Sequence, residues 1–401
     1  MKFTRAQVRI LGAVMLAYTA AYVCRTNISM LLSSIIDQFS LTQAQGGLIA
    51  TMFAIIYALG QLVTGLIVDR INPRLFILTG LLLTGACNIV CACAPSYGCI
   101  LAFWTLNAVG QSMLWTPIVR IVALKFQTEI RSRTSFFLSM TLVLGYVIAW
   151  LLAGMMVSIA NWRFGFLVPA FVTITCAVIA FFMLYDVKIK PEPKKSSAEK
   201  AEGGLGRVLC TTGLLFVLVG CVFNGFMRDS IMTWAPTILM ETQGVDLDGV
   251  LGVALIIPIV NCIGIIFGRR CYNWVRGSAR RSISLLLILS SVASALLLAF
   301  SGVNSLVCAV LLAASAATSY GLNPLLTTML PLEYDRLKRV GAVAGMIDAF
   351  IYLGSGLAGI TAGAVSEWAG WTAVFALWVV SALCGAAAML FSSREKFMKN
   401  L

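Results

Sequence analysis

The chain has 401 residues, of which 60% are hydrophobic and only 11% charged, with a net charge of +13 and a mean hydropathy of +0.94. That balance excludes a soluble domain, whose surface needs far more polarity. The positive charge does not point to nucleic acid, because the basic residues sit in short loops and termini, where membrane topology accounts for them.

Apolar runs of about 20 residues, enough to cross about 30 Å of hydrocarbon, recur along the whole length. They predict twelve spans, over 8–35, 46–68, 74–95, 97–122, 133–159, 164–186, 208–236, 249–271, 280–301, 304–330, 339–365 and 371–393. The first run is too long for the apolar region of a signal peptide and lacks a small-residue cleavage site. It carries Arg25 near its middle, where a cation costs roughly 2.5–3.5 kcal/mol on insertion scales. Tyr18, Tyr22 and Arg25 are spaced i, i+4, i+7 and share one helical face. Phenols donate hydrogen bonds to an anion, and guanidinium offers a planar fork suited to phosphate or carboxylate. The other reading of the three is a pair of interfacial tyrosines and an arginine bound to backbone carbonyls.

Between the second and third spans lies Gly65-x3-Asp69-Arg70-x3-Arg74. A small residue there lets two helix ends approach, and Asp69 can pair with a helix end or an arginine, so the segment is expected to act as a gate; an ordinary charged loop is the alternative. Twelve cysteines fall mostly inside apolar spans as small buried hydrophobes. Cys91, Cys93 and Cys99 cluster near one membrane face, but a chain without histidine offers a poor metal set. Trp115 and Pro117 in the fourth span predict a helix distortion. Residues 187–206, with PEPKKSSAEKAEGG, read as a cytoplasmic linker between two six-helix bundles, 1–186 and 207–401.

The seventh span carries Arg228, again near its middle, followed by Asp229. Neighbours on a helix point about 100° apart, so the two need not pair with each other. Asp348 lies in the eleventh span. Either carboxylate, if it lines a pathway, is a candidate proton-binding group; a structural partner for an arginine or a neighbouring helix is the alternative. Gly354-Ser355-Gly356 and Ala358-Gly359 read as close helix packing, and Trp162, Trp368 and Trp371 as interfacial anchors.

Placing the amino terminus in the cytoplasm puts 26 of the 29 basic residues in inward segments and Arg163 alone in an outward loop; Arg25 and Arg228 are the other two. The positive-inside rule therefore predicts both termini cytoplasmic. The halves also repeat. At an offset of 209, Leu144-Gly145 matches Leu353-Gly354, Ala153-Gly154 matches Ala362-Gly363, Trp162 matches Trp371 and Phe166 matches Phe375. At an offset of 203, Arg25 matches Arg228 and Gly65 matches Gly268. A duplicated 6+6 bundle follows, an all-α membrane protein with the major facilitator layout. In that layout the first and seventh helices line one cavity, which would bring the two arginines together.

The runs YVCRTN, GLIVDRINPR, MLWTPIVR, NWRFGFLVPA, MRDSIMTWAPT and GMIDAFIYLGSGLAG resemble the organophosphate:phosphate antiporters of the major facilitator superfamily over nearly the whole chain. The resemblance implies phosphate held between Arg25 and Arg228 while the halves rock about it, with Tyr18, Tyr22, Tyr57, Tyr320 and Tyr352 as cavity tyrosines. It also marks departures. Gln61 stands where the glycerol-3-phosphate member has a lysine, and that member's fifth-span histidine has no counterpart. Tyr272 replaces the acidic residue that the repeat would place in the second-half loop.

A secondary carrier for an organic anion is the leading expectation, working as a monomer in the plasma membrane without a cofactor. Proton-coupled symport of a carboxylate or other anion remains open, as does a transporter-like sensor of sugar phosphate. No nucleotide-binding motif and no nucleophile–base or metal constellation points to a pump or an enzyme.

Overall fold

The computed structural model describes residues 3–67, 71–187, 209, 211–245, 247–275, 277–334, 340–394 and 397. Where backbone cannot be solvated by water it must bond internally, and long apolar runs therefore fold as helices. The first half contains α1 (Arg5–Thr26), α2 (Ile28–Phe39), α3 (Gln43–Ile67), α4 (Pro73–Ala92), α5 (Tyr97–Ser112), α6 (Trp115–Lys125), α7 (Thr128–Ile159) and α8 (Phe164–Met183). The second contains α9 (Leu214–Gln243), α10 (Leu247–Ala254), α11 (Ile256–Trp274), α12 (Ala279–Phe300), α13 (Ser305–Gly321) and α14 (Val340–Ser392), with a π-helical turn at Leu325–Met329. Polar residues set the starts. Thr4 and Gln7 form a capping box, and Asn72, Ser96, Ser278 and Asn304 each accept a hydrogen bond from a first-turn amide.

Ten helical stretches are long and apolar enough to cross a membrane. The difference from twelve has two sources. α14 joins two helices across Gly370, whose φ of 75° and ψ of 171° break the helix. The expected span 97–122 is divided into α5 and α6 by a turn at Met113–Leu114, so neither piece qualifies alone. With those two allowances the described helices are consistent with twelve.

The chain divides into two compact units. The first holds Met1–Leu41, Met52–Lys195 and Leu247–Leu251; the second holds Thr42–Thr51, Ser196–Asp246 and Gly252–Leu401. The first turns of α3 thus belong with the second unit, where Thr51 Oγ1 accepts the Ile360 amide at 3.1 Å and Gln43 Nε2 donates to Glu241 at 2.6 Å. Apart from Val187, the expected linker lies almost entirely outside the described residues. Each unit has its own apolar core, one built on Val14, Leu81, Ile118 and Leu184, the other on Leu218, Leu287, Leu326 and Met389. Each also exposes large apolar side chains, among them Phe171 and Phe182 in the first and Ile263 and Val292 in the second. Such surfaces suit lipid rather than water.

The sequence repeat is a packing repeat. α1 packs on α7 as α9 packs on α14, and α4 packs on α8 as α12 packs on α14. A Cβ added at Gly145 would stand 2.2 Å from Tyr22 Cβ and 3.2 Å from the Thr19 carbonyl; one at Gly354 would stand 1.9 Å from the Val222 carbonyl. Thr19 and Val222 differ by the same 203 positions as the two arginines, so one glycine contact recurs in both units. Gly145→Leu and Gly354→Leu should each destabilise the protein by about 1–3 kcal/mol or more, since backbone cannot yield as a side chain can. Thermal unfolding in detergent measures it; an unchanged midpoint in both variants would show that these contacts are loose.

Candidate functional site

α1 delivers Arg25 to a break in its own span. Asn27 forms a turn between α1 and α2, and three carbonyls just before it are bonded by neighbouring side chains. Thr173 donates to Ala20 O, Gln111 to Ala21 O, and both Asn88 and Asn107 to Cys24 O, at 2.8–3.1 Å. Asn27 itself donates to Asn88 Oδ1 at 3.0 Å and to Gly165 O at 3.2 Å. These amides are buried, and each bond replaces one that water cannot supply. The belt fixes the helix where Arg25 leaves it.

The Arg25 guanidinium lies over aromatic faces, 4.4 Å from the Tyr57 ring centre, 5.2 Å from Phe53 and 5.3 Å from Tyr22. Cation–π contact places these rings against the flat face of the guanidinium, the face that offers no N–H. Phe53 and Tyr57 are stacked at 6.1 Å. Gln61 Nε2 donates to the Tyr57 hydroxyl at 2.8 Å, and Gln61 Oε1 accepts from Thr116 at 3.0 Å. The Tyr57 oxygen is thus an acceptor for Gln61, and its own O–H is a donor polarised by the chain behind it. Tyr18 stands one ring behind, packed on Tyr22 at 5.2 Å and on Trp115 at 5.0 Å. Trp115 and Thr116 follow the Met113–Leu114 turn, so the distortion expected at Trp115 and Pro117 is present and sits beside the site.

In the second unit Arg228 projects from α9 with its side chain 13% exposed. Here the two neighbours, which need not have paired, do pair. Arg228 Nε donates to Asp229 Oδ1 at 2.7 Å and Nη2 to Oδ2 at 3.1 Å, because the long guanidinium stem folds back around the helix to its neighbour. Nη1 donates to Asn323 Oδ1 at 3.4 Å. Tyr320 and Tyr352 lie within electrostatic range of Arg228, and so does Asp348, whose side chain is exposed. Asp348 and Tyr352 are one turn apart on α14 and share a face. Asn323 precedes Pro324 and the π-helical turn, a second distortion next to a site.

The gate residues fare differently. Asp69 and Arg70 lie outside the described residues. Among the described residues, a Cβ at Gly65 would meet nothing within 4 Å, whereas one at its counterpart Gly268 would stand 2.1 Å from the Gly321 carbonyl. Arg74 donates to Phe181 O at 2.7 Å and lies 3.7 Å over the Phe181 ring, which ties α4 to the end of α8. Cys91, Cys93 and Cys99 are free thiols.

Sequence reasoning missed Phe53, Asn88, Asn107, Gln111 and Asn323, and it missed Arg280. Fully buried at the start of α12, Arg280 donates to Thr212 O, Ser392 O, the Tyr334 hydroxyl and Glu333 at 2.6–2.9 Å. Burial pushes the Glu333 carboxyl up from its usual range, and Arg280 opposes the shift. The amides had a readable signal, since a polar side chain repeated in several apolar spans needs a partner.

Three comparisons bear on this arrangement. The sequence model of the Major Facilitator Superfamily matches residues 14–276. A probable hexose phosphate transport protein of Chlamydia muridarum is 23% identical over 416 residues, covering 96% of this chain and 90% of the relative. The membrane sensor protein UhpC of Salmonella typhimurium is 26% identical over 405 residues, covering 95% and 90%. Among solved structures, a bacterial homolog of the human lysosomal transporter Spinster, in an inward-facing and occupied conformation, superposes with a TM-score of 0.79 at 20% identity over 98% of both chains. That likeness establishes the fold.

Asn88→Leu should lower stability by about 1–3 kcal/mol, because in a dry interior it takes one acceptor from the Asn27 amide and leaves Cys24 O to Asn107 alone. Thermal unfolding in detergent reads the loss; an unchanged midpoint would mean that the amide belt does not hold α1.

Proposed function

The chain belongs to the Major Facilitator Superfamily, a family of multi-pass membrane transporters rather than enzymes, and we propose that it is a secondary carrier exchanging a small organic phosphate for inorganic phosphate. The observation that carries this reading is a pair of guanidiniums at repeat-related positions, each in a span and each surrounded by hydroxyl or amide groups. Arg25 has Tyr22 and Tyr57 beside it; Arg228 has Tyr320, Tyr352 and Asn323. A phosphate carries two charges and several acceptor oxygens, which two planar forks and a few phenols can match. The probable hexose phosphate transport protein that aligns with nearly the whole chain supports the same substrate class.

The duplicated sequence supports one anion engaged by both arginines, and the distribution of basic loops supports both termini in the cytoplasm. Gln61 takes the place of a fixed cation and orients Tyr57 instead, which favours a substrate bound through hydrogen bonds as well as charge. Asp348, exposed and within range of Arg228, favours proton-coupled symport as a second reading. The sensor relative supports a third, recognition of a sugar phosphate without flux.

Proteoliposomes preloaded with phosphate should take up labelled phosphate or hexose 6-phosphate by counterflow. Absence of exchange from folded protein would remove the antiport reading; binding without flux would favour a sensor. Arg25→Lys and Arg228→Lys should each lower kcat/KM by about 10- to 100-fold, the loss of a charged bidentate contact. Uptake by both lysine variants at the wild-type rate would rule out a two-arginine site. Asp348→Asn should leave exchange intact, and it should abolish any acceleration by an inward proton gradient if symport operates.

A further inference from the structure

Asp229 places a carboxylate inside an apolar span, directly beside Arg228. It lies in the interior of α9, far from the amino-terminal turn where a carboxylate would stabilise the helix dipole. The equivalent position in the first half, 203 residues earlier, is Thr26, whose hydroxyl donates back to Tyr22 O of its own helix at 2.9 Å. The fold therefore accepts a small hydroxyl at this site. A carboxylate in its place is costly in an apolar span unless a cation meets it. The cation that meets it is Arg228, through the Nε and Nη2 edge, with both carboxylate oxygens engaged.

That edge is the side-on fork by which guanidinium binds phosphate and carboxylate. It accommodates one planar or tetrahedral anion edge at a time. We propose that Asp229 is an intramolecular stand-in for the transported anion: it holds the fork of Arg228 in the unloaded carrier and yields it to the incoming phosphate. This inference rests on the anion-carrier reading above and adds a coupling role to it. Displacement turns a short side chain that is already 25% exposed, so water can solvate the released carboxylate. Asn323 remains on Nη1 and keeps the guanidinium plane in place. Asp348, the other carboxylate in range of Arg228, acts on it through space and from α14.

The consequence concerns how the carrier returns. A bare cation in a site that must pass through a closed, dry state opposes reorientation without substrate, and exchange is then obligatory. A fork already neutralised by Asp229 removes that penalty at Arg228. The carrier can then return unloaded, and net flow accompanies exchange. The same pairing makes every anion compete with Asp229, which weakens apparent affinity.

The experiment compares uptake of labelled phosphate into phosphate-loaded vesicles with uptake into vesicles free of anion substrates, for wild type, Asp229→Asn and Asp229→Thr. The threonine variant restores the residue type of the first half and serves if the asparagine variant fails to fold. In the folded variant the KM for exchange should fall by about 3- to 10-fold, as expected for removal of one charged hydrogen-bonding competitor, and net uptake into anion-free vesicles should fall by about tenfold relative to exchange. An unchanged KM and an unchanged ratio of net flow to exchange would overturn the proposal, and so would weaker phosphate binding. If the wild type exchanges neither phosphate nor hexose 6-phosphate, the antiport reading fails separately. Equilibrium phosphate titration then decides on Asp229 alone: tighter binding in the variant supports the stand-in, and equal or weaker binding overturns it.

Discussion

A guanidinium in the middle of a membrane span must be held by something, and the two units hold theirs by different means. The first surrounds Arg25 with the faces of Tyr22, Phe53 and Tyr57. The second gives Arg228 a carboxylate. Aromatic rings meet the flat of a guanidinium; a carboxylate meets its N–H edge. The surrounding structure follows from that difference. The first unit needs rigid rings and therefore a rigid helix, which the amide belt around Asn27 provides. The second needs a rotamer that can change, and Asp229 is short and partly exposed.

Both solutions stand on one backbone. The glycine contact at Gly145 recurs at Gly354, and the half-span breaks before Pro117 and at Leu322 each lie beside an arginine site. What differs is the polar chemistry between helices. Where the first unit uses Asn27, Asn88, Asn107 and Gln111, the second uses small hydroxyls: Ser290 donates to Ser315 O at 3.1 Å, Ser294 lies 2.8 Å from Ser315, and Ser230 accepts from Trp378 at 2.9 Å. Amides reach across to a neighbour's carbonyl, whereas serines permit closer approach. A duplicated scaffold has in this way acquired one stiff and one adjustable half.

Much of this is legible in the amino-acid sequence. Spans announce themselves by hydropathy, because length and apolarity are what the bilayer selects. Arg25 and Arg228 stand out as energetic exceptions, and their spacing ties them to the repeat. Pro117 marks a break by its missing N–H. The pairing of Arg228 with Asp229 is not legible, because the 100° rule describes where Cβ atoms point and a long flexible stem can fold back past it. Phe53 is hidden for the opposite reason, since one more phenylalanine in an apolar span carries no signal. Close packing at a glycine is seen at Gly268, the repeat partner of Gly65, against the Gly321 carbonyl.

The buried arginine at position 280 shows why saturation, rather than burial, separates a site from a strut. Its donor contacts end on Thr212 O, Ser392 O, Tyr334 and Glu333, two of them backbone carbonyls that cannot rotate away. Any anion seeking Arg280 would have to dismantle the junction of α9, α12 and α14, and burial of the partners makes that costly. Among the described residues, Arg228 donates to the side chains of Asp229 and Asn323, the latter at a long 3.4 Å. Side chains can turn, and a neighbour one residue away remains tethered to the place it leaves. An arginine paired with a side-chain carboxylate is already in the electrostatic state that an anionic substrate would create, and under the proposal above it exchanges one anion for another without the helix moving.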